Sequence, residues 1–217
     1  MNVLDELERA GAILLDRHFV YKSGKHGSGY INMDPLFSDI LLLRELGKLL
    51  YLPFWGGYTQ VPETIAAPAT GGILLSAFTA NEVAGHRPPR AVWADKDGDD
   101  FAFQRAGFVE HLQGKRVLVV EDLLTTGGSV QKVCRAAESH GANIIGVSAV
   151  CNRGGVTAEQ LGVPRLESLT VVGFEAVEAD DCLLCRVKAP IVRDIGHGAK
   201  FMAAHPDYPG GFITLLS

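Results

Sequence analysis

The chain has 217 residues, 47% of them hydrophobic, and a net charge of -5. That size and composition suit one large globular domain, or one with a small appendage, and exclude a disordered chain. The acidic balance gives no general attraction to nucleic acid, and no apolar run reaches the roughly 18 residues that span a bilayer.

In chain order, the opening MNVLDELERAGAILL carries acids where a secretory leader carries bases, so a cytoplasmic protein with no membrane partner is expected. Residues 2–10 read as a short amphipathic helix stopped near Gly11. HFVYKSGKHGSGYINMD reads as two extended stretches around a Gly-rich turn that carries lysine. SDILLLRELGKLLYL is a helical run with Ser38 as its cap. Residues 51–63, YLPFWGGYTQVPE, insert aromatics suited to a partner subunit. TIAAP is a short buried strand, and GGILLSAFTANEVAG a helix ending at Gly85. RAVWADKDGDDFAFQRAGF is a strand, an acidic exposed loop and another strand. RVLVVED is a strand, GGSVQKVCRAAESHG a helix ending at Gly141, and NIIGVSAVCNR a further strand. After a helical turn near 157–161, RLESLTVV is the last strand of this series, and the final 40 or so residues are irregular and rich in Pro and Gly.

Strands therefore alternate with helices over about 64–172. The fold class this predicts is α/β, a mostly parallel central sheet flanked by helices. The first 36 residues break the rhythm and are expected to form a small hood on a single domain covering 1–217.

VLVVEDLLTTGGSV, residues 117–130, concentrates the chemistry. In an open parallel sheet, ligands bind beyond the carboxyl ends of the strands. A buried strand over 117–120 would deliver Glu121 and Asp122 to that edge, with Thr125, Thr126, Gly127, Gly128 and Ser129 forming a loop and a helix start. Backbone amides, hydroxyls and the helix dipole favour an anion there, and the glycines admit it closely. The carboxylates repel a phosphate but accept hydrogen bonds from a vicinal diol. A ribose 5-phosphate satisfies both halves. The stretch lacks both the GxxxxGK[ST] of a triphosphate loop and the GxGxxG of a dinucleotide fold.

Of the four cysteines, Cys182 and Cys185 form a CxxC. The pair is either structural or incidental, or half of a metal site completed by His197 or His205.

VLVVEDLLTTGGSV resembles the phosphoribosyl-pyrophosphate motif of type I phosphoribosyltransferases. Other segments resemble the orotate branch of that superfamily: the N-terminal HFVYKSGKHGSGYINMD, the pyrophosphate turn APATGGI, the catalytic loop ADKDGDDFAFQRAGF, VCNRGG after the next strand, and the tail CLLCRVKAPI. Gly71 stands where many relatives carry lysine, and Asn152 where aspartate is usual. The resemblance implies transfer of the phosphoribosyl group of phosphoribosyl pyrophosphate to orotate in pyrimidine synthesis. It implies catalytic roles for Asp122, Glu121, Lys96 and Arg105. It implies phosphoribosyl-pyrophosphate binding by Ala69, Thr70, Gly71, Gly72 and the 125–129 loop, and orotate binding by Lys22, Tyr30, Thr125 and Arg153. Phe19 or Tyr21 are alternative aromatic walls for the base. Mg²⁺ is implied as cofactor, held mainly through ligand and water, and a homodimer as the assembly. The alternatives are a phosphoribosyltransferase for another base, or a noncatalytic sensor of phosphoribosyl pyrophosphate.

Overall fold

The structure, a computed structural model, describes residues 1–56, 61–81 and 88–215. Its elements in chain order are α1 (Val3–Arg9), β1 (Ile13–Leu14), β2 (Phe19–Val20), β3 (His26–Gly27), β4 (Tyr30–Ile31), α2 (Ile40–Tyr51), β5 (Thr64–Pro68), α3 (Gly72–Asn81), β6 (Arg90–Asp97), β7 (Asp100–Ala102), β8 (Arg116–Leu124), α4 (Gly128–Ser139), β9 (Asn143–Asn152), α5 (Ala158–Leu161), β10 (Leu166–Val171), α6 (Leu183–Arg186), β11 (Ile191–Val192), α7 (Gly198–Ala204) and β12 (Phe212–Ile213). They fall into two compact units. One holds Met1–Glu6 and the described part of Met33–Val172; the other holds Leu7–Asn32 and the described residues from Gly173 onward.

The first unit is built on a six-stranded sheet ordered β10-β9-β8-β5-β6-β7. Every neighbouring pair is parallel except β6 and β7. The α/β reading with a mostly parallel sheet is therefore correct. TIAAP is buried at every position, as a central parallel strand covered on both faces must be. Along α4, Val130, Val133, Cys134 and Ala137 recur at helical spacing and are buried with Val117, Val119 and Val147 of the sheet.

Three local readings need correction or limits. The cap of α2 is Asp39, which accepts from the Leu42 amide, because Ser38 is taken up in the preceding 3-10 turn and donates to the Pro35 carbonyl. The expected end of α3 at Gly85 lies outside the described residues, as do residues 57–60 of the aromatic insertion. Within the rest of that insertion, Tyr51 and Phe54 are buried and Trp55 is 60% exposed.

The second unit has three two-stranded sheets among its described residues: β1 with β4, β2 with β3, and β11 with β12. The two extended stretches read around the Lys22 turn are β2 and β3, antiparallel with Val20 opposite His26. Among the described residues, no helix is long and apolar enough to cross a membrane.

Candidate active site

β8 runs on to Leu124, two residues beyond RVLVVED, so Glu121 and Asp122 lie within the strand, past its buried 117–120 run. Their register explains the extension. Glu121 and Leu123 pair with Ala149 and Cys151 of β9, whereas pairing with β5 stops at Val119. The two acids thus stand at the carboxyl end of the sheet, with β9 holding one side.

The two acids differ. Glu121 is 8% exposed, and Asp122 is half-buried. Burial, followed by the neighbouring Asp122 charge, pushes the Glu121 carboxyl well above its usual range. Asp122 turns one oxygen to the Leu123 amide at 2.7 Å.

Residues 125–127 form the bend between β8 and α4, and Gly127 caps the helix with φ 76°. Only glycine adopts that conformation without strain. No side chain caps α4 at Gly127. The first amides of a helix have no intrahelical acceptor. Here the Gly128 amide makes a long bond of 3.4 Å to Thr126 Oγ1, and the helix start as a whole favours an anion. Thr125, Thr126 and Ser129 are exposed around them.

Two backbone approaches fix this loop. Gly71, in the turn after β5, lies so close to the acids that a Cβ there would stand 2.6 Å from Asp122 Oδ2. The turn with Ala69, Thr70 and Gly72 is thereby placed beside Asp122, and the peptide bond between Ala69 and Thr70 is cis. On the other side, the Arg153 and Gly154 amides donate to the Leu124 carbonyl at 2.9 and 3.2 Å. A Cβ on Gly154 would overlap the Thr125 carbonyl oxygen. Arg153, half-buried, is carried with this segment to the edge of the 125–129 loop.

Asn152 brackets the segment after β9 with both ends of its side-chain amide. Its amide nitrogen donates to the Val156 carbonyl at 2.8 Å, and its oxygen accepts from the Val156 amide at 3.0 Å. A carboxylate accepts only, so asparagine alone closes this bracket at both ends. Sequence reasoning missed this role, because the partner is backbone.

Lys96 and Arg105 belong to the β6–β7 hairpin and the segment after it. The acidic loop is a tight reversal: Asp97 pairs with Asp100, and Gly98 has φ 61°. Lys96 is exposed opposite Phe101, and paired residues of antiparallel strands share a face. Phe101 is buried in the core cluster that includes Val130 and Val133 of α4. The hairpin tip is also tied to α4, since Lys132 Nζ donates to the Asp99 carbonyl. Arg105 pairs with Asp95 at 3.1 Å and lies over the Trp93 ring at 5.6 Å.

Cys134 and Cys151 are buried, and burial pushes their thiols up to about 12 and about 11. Neither suits a nucleophile. A cleft lined by Pro53, Phe54, Arg116, Asn143 and Arg165 opens at the amino ends of β8 and β9, the end opposite the acids.

In the second unit, Lys22 is exposed on the turn that Tyr21 and Lys25 close, the Tyr21 amide donating to the Lys25 carbonyl at 2.8 Å. Tyr30 is half-buried, 5.6 Å from Phe19. Phe19 is fully buried and so has no free face for a base. Tyr21 donates to the Gly29 carbonyl at 2.5 Å and stacks with Phe174. The CxxC meets neither His197 nor His205. Cys182 and Cys185 gather with His18 and His26.

Residues 41–178 match the phosphoribosyl transferase domain family. The chain is 34% identical over 198 residues to the orotate phosphoribosyltransferase of Thermotoga maritima, covering 89% of this chain and 97% of that protein. It is 35% identical over 191 residues to that of Thermus thermophilus, with 88% and 98% covered. A crystal structure of the Mycobacterium tuberculosis orotate phosphoribosyltransferase, 20% identical, shares the fold with a TM-score of 0.63 over 79% of this chain and 97% of that one. With that identity sustained along nearly the whole of both curated relatives, the chain belongs to the orotate phosphoribosyltransferases.

Proposed function

We propose that the chain transfers the phosphoribosyl group of phosphoribosyl pyrophosphate to orotate, giving orotidine 5'-monophosphate and pyrophosphate. The observation that carries this reading is the approach of the Gly71 turn to Asp122, beside the start of α4. A phosphate seat, a carboxylate for a diol and a second amide-lined turn then occupy one end of the sheet.

In this reading the 5'-phosphate takes the amides and hydroxyls of 125–129, and the pyrophosphate takes the 69–72 turn. The bond from the anomeric carbon to pyrophosphate breaks as a nitrogen of orotate bonds to that carbon, and positive charge develops on the sugar. Asp122 stabilises that charge and accepts from the ribose hydroxyls. Glu121, whose carboxyl burial raises well above its usual range, orients Asp122 by accepting from the Asp122 amide at 3.2 Å. Lys96 faces the departing pyrophosphate, with Arg105 as its reserve once released from Asp95. Lys22, Tyr30 and Arg153 are assigned to orotate, whose carboxylate calls for charge-assisted donors.

Oxygen donors at this end of the sheet suit Mg²⁺, which keeps waters and phosphate oxygens in its shell. Among the described residues, the acids offer no cluster of three ligating side chains there. Asp122 and the pyrophosphate are the fitting donors, and the ion when bound neutralises charge on the leaving group.

The same reading takes 1–217 as one catalytic domain with 1–36 as its base-binding hood, in a cytoplasmic homodimer. Light scattering reads the mass, and Trp55→Ala is expected to weaken the dimer.

Mixing the purified chain with phosphoribosyl pyrophosphate, Mg²⁺ and orotate tests the activity. Orotate absorbance is expected to fall as pyrophosphate accumulates one for one, with no turnover of hypoxanthine, adenine or uracil. Turnover of a purine instead, or binding without turnover of any base, overturns the reading.

A further inference from the structure

The pair His18 and His26 and the pair Cys182 and Cys185 lie far apart in sequence, 159 residues between His26 and Cys185, yet the four ligating atoms all fall within 4.8 Å of one another. His18 Nε2 is 2.9 Å from His26 Nδ1 and 3.6 Å from each sulfur, and Cys185 Sγ is 3.2 Å from His26 Nδ1. A tetrahedral zinc ion with its usual Zn–S and Zn–N bonds sets its ligands roughly 3.3–3.8 Å apart. The cluster is therefore already close to the size of a coordination shell. Neither sulfur is in a disulfide, and Cys185 alone of the four is not fully buried.

Proton placement points the same way. His18 Nδ1 lies 3.0 Å from the Ala189 carbonyl, which can only accept, so that nitrogen carries the proton. Nε2 then presents a lone pair to the centre of the cluster. Binding of one imidazole nitrogen with the other held by a backbone carbonyl is the usual outer shell of a zinc histidine. Without an ion, His26 Nδ1 must donate to His18 Nε2, so a proton stands where the four ligating atoms meet. With an ion, His26 Nδ1 also turns a lone pair inward, and all four ligands converge.

The backbone holds the two histidines in place. The His26 amide donates to the Val177 carbonyl at 2.8 Å and the Val192 amide to the His18 carbonyl at 2.9 Å. His18 precedes β2, and His26 opens β3 opposite Val20. By strand alternation the two histidines share one face of the hairpin, diagonally placed.

We propose that these four residues form a structural Cys₂His₂ zinc site that closes the second unit. Two thiolates and two imidazoles favour zinc over hard cations, and four protein ligands leave no open position for catalysis. The described sheets of this unit are pairs of two-residue strands, marginal on their own, and a metal staple constrains them. The Lys22 turn lies between the two histidine ligands in sequence, so the ion also fixes the hairpin that, on the proposed function, presents Lys22 to orotate.

The test uses the full chain. Protein expressed with zinc in the medium is expected to carry one zinc per chain, to melt lower after treatment with a strong chelator, and to recover on adding zinc back. Cobalt added to the metal-free chain is expected to give the visible bands of a tetrahedral thiolate complex, reduced in Cys185→Ser and His26→Gln. Should the variants fail to fold, the cobalt spectrum of the unaltered chain decides. No zinc after purification and no such bands with cobalt overturn the site, as does a disulfide between Cys182 and Cys185 in the purified protein. An active chain without zinc removes the site and leaves the proposed function intact. A zinc-loaded chain that never consumes orotate does the reverse.

Discussion

The two units of this molecule hold their functional residues by different means. In the first, a buried parallel sheet and α4 carry the loops, and the loops are fixed by close backbone approach: Gly71 against Asp122, Gly154 against Thr125. In the second, the described strands are two residues long, and side chains remote in sequence meet at one polar cluster. The contrast teaches that a loop can be positioned either by the core under it or by a point constraint. The two respond to different perturbations.

The largest effect is expected from Asp122→Asn. Removing the charge that faces the developing cation is expected to lower kcat by about 100- to 1,000-fold. The melting temperature stays within a degree or two, because the side chain is only half-buried. Steady-state kinetics beside thermal melting separates the two readouts, and a variant with unchanged kcat removes Asp122 from the mechanism.

Gly154→Ala attacks the close approach itself. The added methyl overlaps the Thr125 carbonyl, so the fold is expected to lose about 1–3 kcal/mol. The urea midpoint reads the loss, and weaker binding of phosphoribosyl pyrophosphate is expected with it.

Lys22→Ala sharpens the comparison from the other side. Loss of a charge-assisted bond is expected to raise KM for orotate about tenfold, with KM for phosphoribosyl pyrophosphate unchanged. An equal rise in both constants argues against assigning Lys22 to the base.

The smallest effect concerns pH. The Glu121 carboxyl is raised in the folded state, by burial first and by the Asp122 charge second. The folded chain therefore binds this proton more tightly than the unfolded one. The resulting stability is complete below the unfolded value and is lost as pH rises through the folded one. Glu121→Gln is expected to flatten that loss, matching the parent in acid and melting higher than it at alkaline pH. Melting curves across pH check this, and parallel curves for the two proteins contradict it.

Much of the first unit was legible because its signals are local. The 117–120 apolar run, the acid pair and the TTGG turn lie within one strand, one bend and one helix start, and the spacing of Val130, Val133 and Ala137 declares α4. The last two residues of β8 were not legible, because pairing of Leu123 and Leu124 with β9 is a property of the neighbouring strand. Asp39 displaced Ser38 as a cap through a 3-10 turn that periodicity does not reveal. In the second unit the CxxC was visible, but its partners were not. The strand alternation that places His18 and His26 on one face was available in the sequence; their meeting with residues 182–185 depends on tertiary structure.

The central claim, that the carboxyl end of β8 seats the phosphoribosyl group, is tested most directly by amide hydrogen exchange with and without phosphoribosyl pyrophosphate and Mg²⁺. Slowed exchange is expected in peptides covering 125–129 and 69–72. Protection confined to the amino ends of β8 and β9, with those two segments exchanging as in the free protein, contradicts the account.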